Sequence, residues 1–360
     1  MNISERAKEN IESCRFCWMC RHICPIAIAS GQERNTARAR ALALSVAMRG
    51  AEPWEGIADN LYECALCGAC VKECVTGWDP VLFTREARGE ICREGILLPY
   101  VEKMLESFEN HGNVYGKTKP LDLPYEDTKT DTLLFLGEDA RYCSADSANG
   151  AIAILRRAGV KFTVLRNEPN SGNSLYFLAG KSEELRRCMT DTARVLNEYK
   201  TVIVYDPADL KLFVREYKEF GIGITAQIAG FHTYLLELLQ KKALRVKKSP
   251  RTYTVQDNFN YARELGDEET VRKIVDMLGA SKEFLMHGKD TMFAGSLLMR
   301  EYMPEVMRGV AEARWKNAAG VGADTVVTES PCEYEMLKMT CPAGCRVLTA
   351  EGAVSENLAK

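Results

Sequence analysis

The chain has 360 residues, 46% hydrophobic and 27% charged, enough for two or three domains with substantial cores. Its 47 basic and 50 acidic residues leave a net charge of −3, so no strong field marks nucleic acid as a partner. No apolar run approaches the roughly 20 residues of a bilayer-spanning helix, and the first ten residues are polar and mixed in charge, unlike a signal peptide. A soluble, cytoplasmic protein is expected, with no direct membrane insertion, reaching a membrane only through partner subunits.

Fourteen cysteines are many for such a chain, and eight of them fall before residue 75. A reducing compartment disfavours disulfides and favours metal. The first group is Cys14-x2-Cys17-x2-Cys20-x3-Cys24-Pro25 and the second is Cys64-x2-Cys67-x2-Cys70-x3-Cys74. Both have the spacing of bacterial dicluster ferredoxins, in which three closely spaced thiolates wrap one cubane and the fourth reaches the other. One [4Fe–4S] cluster is then expected on Cys14, Cys17, Cys20 and Cys74, and a second on Cys64, Cys67, Cys70 and Cys24. Zinc is the alternative, but zinc sites pair cysteines across a longer gap and need only four ligands each. Trp18 reads as a lid that excludes water. His22 is left without a vacancy to fill, because each quartet is complete.

Between the runs, Asn35 or Thr36 can cap a helix over Ala37–Met48 that stops at Gly50. A further helix is expected through Leu82–Arg93, so the domain, residues 1–115, is an α-helical ferredoxin rather than a hairpin type. Residues 116–130 are turn-rich and read as a linker. Afterwards strands predicted at Thr132–Gly137, Lys161–Leu165 and Thr201–Tyr205 alternate with helices at Ser147–Ala158 and Glu183–Tyr199, which implies a parallel α/β layer. Thr201-Val-Ile-Val-Tyr-Asp-Pro207-Ala-Asp209 resembles Thr325-Val-Val-Thr-Glu-Ser-Pro331-Cys-Glu333, each a strand, an x-Pro-x-acid turn and a helix start. Two similar halves, 131–248 and 249–360, are expected. The basic stretch Lys241–Lys248 reads as a solvated helix end. Gly221-Ile-Gly223 is only a fragment of a dinucleotide fingerprint, so no flavin or nicotinamide of the chain's own is expected.

The whole arrangement resembles iron–sulfur subunits in which a helical dicluster ferredoxin precedes a duplicated cysteine-rich (CCG) domain, as in heterodisulfide reductase, glycolate oxidase and anaerobic glycerol-3-phosphate dehydrogenase. Leu61-Tyr-Glu-Cys64-Ala-Leu-Cys67-Gly-Ala-Cys70-Val-Lys-Glu-Cys74 is similar to the family's second ferredoxin motif. Each CCG half normally carries Cys-Cys-Gly and later Cys-Pro-x-Cys. Here Asn170-Ser171-Gly172 and Asp206-Pro207-Ala208-Asp209 stand at those positions in the first half. Met286-His287-Gly288 and Ser330-Pro331-Cys332-Glu333 take them in the second. The turn-forming glycines and prolines remain while the thiolates are gone, and soft ligands are what retain such clusters. The family's noncubane cluster and disulfide-cleaving chemistry are therefore not carried over.

A secondary metal set is His287, Cys332, Cys341 and Cys345, against which stands the reading of the cysteines as small buried apolar residues. Asp206, Asp209 and Glu333 read first as helix N-terminal residues and second as catalytic carboxylates. Cys92, Cys143 and Cys188 read as structural. The resemblance implies a non-catalytic electron-relay subunit, served by a flavoprotein partner of the FAD-linked 2-hydroxyacid dehydrogenase type and delivering to a quinone-linked or soluble carrier. A reductase with its own C-terminal site, and a redox-sensing or assembly protein, are the competing expectations.

Overall fold

A computed structural model describes residues 3–359. The chain divides into two compact units.

The first unit comprises the chain up to Gly116 together with Ser174–Arg186 and Leu298–Val310. It is helical. Ser4 opens the helix Glu5–Glu12 by accepting from the Ala7 amide, and Thr36 opens Ala37–Met48 by accepting from Ala39. Asp79 caps Pro80–Arg93, whose first residue is the proline that position favours. The helix expected after Asn35 or Thr36 thus begins at Thr36, and the one expected at Leu82–Arg93 starts a half-turn earlier. Leu44, Leu61, Tyr62, Phe83, Ala87 and Ile91 are fully buried and form the interior.

Pro80–Arg93 is the spine on which the segment Ser174–Arg186 closes. A Cβ built on Gly180 would stand 2.7 Å from the Arg85 carbonyl oxygen and 3.3 Å from the Gly89 Cα, and the Gly180 backbone is left-handed at φ +59°. Only glycine meets both demands. The Tyr62 hydroxyl donates to the Leu178 carbonyl (2.8 Å), and the Tyr302 hydroxyl donates to the Tyr62 carbonyl (2.9 Å) while its ring stacks on Tyr100 at 4.4 Å.

The second unit holds two wholly parallel sheets. β1 (Thr132–Phe135), β2 (Thr201–Val204) and β3 (Gln227–Gly230) pair in that order. β4 (Thr252–Gln256), β5 (Ala280–Ser281), β6 (Thr325–Thr328) and β7 (Arg346–Thr349) pair as β5-β4-β6-β7. β1, β2, β4 and β6 are buried along nearly their whole length, as strands covered on both faces are. One core spans both sheets, from Leu134 and Ile203 to Tyr253, Val255 and Val327. The strand expected at Lys161–Leu165 is reduced to isolated bridges, Thr163 with Leu133 and Val164 with Glu126. Glu126 lies in the expected linker, which is fastened by that bridge and by Leu121 donating to the Arg141 carbonyl. Among the described residues no helix is long and apolar enough to cross a membrane.

Candidate metal centre

The two cysteine runs fold alike. In the first, Phe16 and Trp18 adopt left-handed backbones (φ 55° and 70°); in the second, Leu66 and Gly68 do so at the same places (φ 52° and 72°). The Phe16 amide donates to Cys14 Sγ and the Leu66 amide to Cys64 Sγ, both at 3.4 Å. A five-residue helix follows each loop, Met19–Ile23 and Ala69–Glu73, and the two pack together. Cys24 and Cys74 leave those helices with nearly identical dihedrals (φ −77°, ψ 110° and 113°). Non-glycine residues in the left-handed region cost about 1–2 kcal/mol each. Three of them in two short loops mark strained backbones that turn the Phe16 and Leu66 amides onto the sulfurs of Cys14 and Cys64.

Burial separates the twins. Residues 15–19 are all exposed, with Phe16, Cys17, Trp18 and Met19 among them, whereas residues 65–69 are all buried. Trp18 is covered by the Arg38 guanidinium, 3.6 Å from the ring centroid, rather than sealing the loop itself. His22 is exposed.

Cys24, Cys64, Cys67 and Cys70 line one cavity together with Pro25, Ala37 and Arg40. Burial raises the Cys70 thiol well above its usual pKa, and Cys64, Cys67 and Cys24 add to the rise. Burial likewise pushes Cys24 up to about 12, with Cys67 and Cys64 contributing. Four thiols this close resist ionising together unless a cation joins them, which is the charge that iron brings. In the first run burial raises Cys20, with Cys14 and Cys17 adding to it. Burial opposes ionisation of Cys74 too, yet hydrogen bonds from Thr76 and from the Trp78 backbone bring its pKa below the usual value. The donor chemistry and loop geometry fit iron–sulfur clusters.

Two arginines escape the spacing argument. Arg40 is 1% exposed and donates to the Asn60 carbonyl (2.9 Å) and the Asn35 carbonyl (3.4 Å). Arg88 is fully buried and donates to the carbonyls of Leu61 (2.8 Å), Cys64 (2.6 Å) and Phe177 (2.8 Å). The only sequence signal was a basic residue in register with the apolar Ala37, Ala41 and Leu44.

In the second unit, the Ser171 hydroxyl donates to Asp209 at 2.5 Å, and Asp206 caps its helix by accepting from the Ala208 amide at 2.8 Å. Glu333 receives the Ala294 amide (3.2 Å), Asn258 Nδ2 (3.0 Å) and Gln256 Nε2 (3.3 Å). Glu333, the acid of the second x-Pro-x-acid turn, thus meets the residue before Gly295. In the expected Met286-His287-Gly288 segment, the Gly288 amide donates to Asp257 (2.7 Å). Burial raises Asp206 to about 8 and Glu333 to about 7, with Asp139 adding to the first; burial also raises Asp209 well above the usual range, with Asp206 adding.

Each residue of the secondary metal set has protein partners of its own. Cys332 Sγ accepts from the Leu297 amide (3.2 Å) and feels Asp139, Asp206 and Glu333. Cys341 and Cys345 neighbour each other, the Cys341 thiol donating to the Cys345 carbonyl (3.3 Å). His287 Nδ1 lies 2.7 Å from the Phe284 carbonyl. Among the described residues no three His, Cys, Asp or Glu side chains are already gathered as a single metal ion would hold them, at the two cysteine runs as elsewhere. Cys92 contacts the Tyr62 hydroxyl (3.3 Å) and Cys188 the Asn170 carbonyl (3.1 Å).

These features define an iron–sulfur protein, and residues 10–78 match the 4Fe–4S dicluster domain family. The chain is similar to the D subunit of the dihydromethanophenazine:CoB–CoM heterodisulfide reductase of Methanosarcina mazei, 22% identical over 90% of this chain and 87% of that protein. The Methanosarcina acetivorans counterpart is 21% identical over 91% of this chain and 88% of its own length. Both matches fit the iron–sulfur subunit family whose motifs the sequence carries. A crystal structure of a hypothetical protein from Helicobacter pylori aligns with 99% of this chain and 73% of that one at 13% identity, TM-score 0.48.

Proposed function

We propose that the chain is the electron-relay subunit of a multi-subunit oxidoreductase and holds two [4Fe–4S] clusters, one on Cys14, Cys17, Cys20 and Cys74, the other on Cys64, Cys67, Cys70 and Cys24. The observation that carries this reading is Cys24, which follows the first loop in sequence yet lines the cavity of the second. When bound, each cubane takes up and releases one electron. The chain's own contribution is to fix spacing and burial through the twin loops. The donor is a flavoprotein subunit, of the FAD-linked 2-hydroxyacid dehydrogenase type, and the acceptor a quinone-linked or soluble carrier. The relation to subunits of heterodisulfide reductases supports a multi-subunit setting.

The second unit reads as a duplicated CCG domain that has lost its metal. The pairs Ser171–Asp209 and Ala294–Glu333 support this, since each joins a small residue before a glycine to the acid of an x-Pro-x-acid turn. A hydrogen bond replaces ligation at both places. The chain would then dock partners through this unit and leave disulfide chemistry to others.

Exchange of Cys24 and of Cys74, one at a time, tests the crossed ligation. Cys24→Ser is expected to disturb the cluster of the buried loop, and Cys74→Ser that of the exposed loop. The opposite pattern in their EPR signals would overturn the crossing. Loss of flavoprotein-linked dye reduction in Cys67→Ser, in the complex purified from native cells, supports relay; full retention speaks for a sensor.

A further inference from the structure

Arg40 and Arg88 are buried cations, and among the described residues neither has a carboxylate partner. All their hydrogen bonds run to backbone carbonyls. Burial pulls the Arg88 pKa down and the charge of Arg40 adds to the pull, so the two repel each other. An unpaired buried ion costs several kcal/mol even after relaxation. Arg88 rests on the Tyr62 and Phe177 rings (4.9 and 4.3 Å); Arg40, on the wall of the cysteine cavity, points to an anion there. Arg40 lines the cavity of Cys24, Cys64, Cys67 and Cys70, while Arg88 grips the Cys64 carbonyl from behind. The exposed loop differs, because there Arg38 and Arg21 both meet Glu33 (2.9 and 3.4 Å).

On the reading of two clusters given above, we infer that the uncompensated charge of Arg40 raises the reduction potential at the Cys24, Cys64, Cys67 and Cys70 site and makes that site the electron sink of the pair. A cubane held by four thiolates is anionic and gains one more negative charge on reduction. A fixed cation in a dry cavity favours the reduced state more than it would in water. Arg40 gives its hydrogen bonds to the Asn60 and Asn35 carbonyls and none to the thiols, so its role is electrostatic rather than ligating.

EPR-monitored redox titration of the full chain tests this. The waves are assigned beforehand by the faster relaxation that an aqueous lanthanide complex causes at the exposed site. Arg40→Gln is expected to lower the buried-site wave by at least a tenfold change in the reduced-to-oxidised ratio, 59 mV for a one-electron couple, and to leave the other wave in place. Arg40→Lys, which keeps the charge, is expected to hold the wild-type position. Two unmoved waves in Arg40→Gln, or an equal shift in Arg40→Lys, would overturn the inference. If Arg40→Gln does not retain its iron, the wild-type titration carries the test: a buried-site wave above the exposed-site wave supports the inference, and one at or below it refutes it. Wild-type protein lacking two cubanes would instead sink the proposed function.

Discussion

At Trp18 and Gly68 the twin loops put unlike residues into the same left-handed backbone. Gly68→Ala is expected to cost about 1–2 kcal/mol, seen as an earlier urea midpoint for the loss of cluster absorbance. Trp18→Gly relieves a similar strain but loses the Arg38 stack, worth about 0.5–1 kcal/mol at an exposed site, so its midpoint should move little or rise slightly. The cysteines themselves were legible because ligation imposes a fixed spacing on sequence. Trp18 as a lid was not: a side chain's exposure depends on what covers it, and the covering residue, Arg38, lies on another helix. Arg40 was equally hidden, since nothing in an arginine codon tells a solvated guanidinium from a buried one.

Among the elements, Pro80–Arg93 organises the first unit through Arg88. Replacing that residue by Met would leave the carbonyls of Leu61, Cys64 and Phe177 without their donor. Each unsatisfied buried group costs about 1–3 kcal/mol, so Arg88→Met is expected to yield protein that unfolds several degrees earlier and binds less iron, measured by calorimetry and iron assay. Gly180→Ala meets the Arg85 carbonyl oxygen and a left-handed backbone at once; heightened proteolysis within 174–186 is the expected outcome. Helix starts were readable from their caps, as at Thr36 and Asp79. The strand at Lys161–Leu165 was not, because its partners, Glu126 and Leu133, offer only one residue of register each. The grouping of Ser174–Arg186 and Leu298–Val310 with the ferredoxin helices left no local signature, since it depends on contacts made far along the chain.

For the molecule as a whole, buried carboxyls set a pH dependence. Asp206 and Glu333 titrate in the folded chain at about 8 and about 7, driven up by burial, against ordinary values near 4. Over that interval the folded state binds more protons than the unfolded one, so stability falls as pH rises from about 4 to about 8. Asp206→Asn is expected to flatten the decline in melting temperature across this window; an unchanged slope would place the dependence elsewhere.

The most direct measurement is made on the chain purified without oxygen: iron, acid-labile sulfide and the EPR spectrum of the reduced protein. About eight irons per chain, two cubanes' worth, are expected with matching sulfide and a cubane signal. Zinc in place of iron, or no cubane signal on reduction, would contradict it.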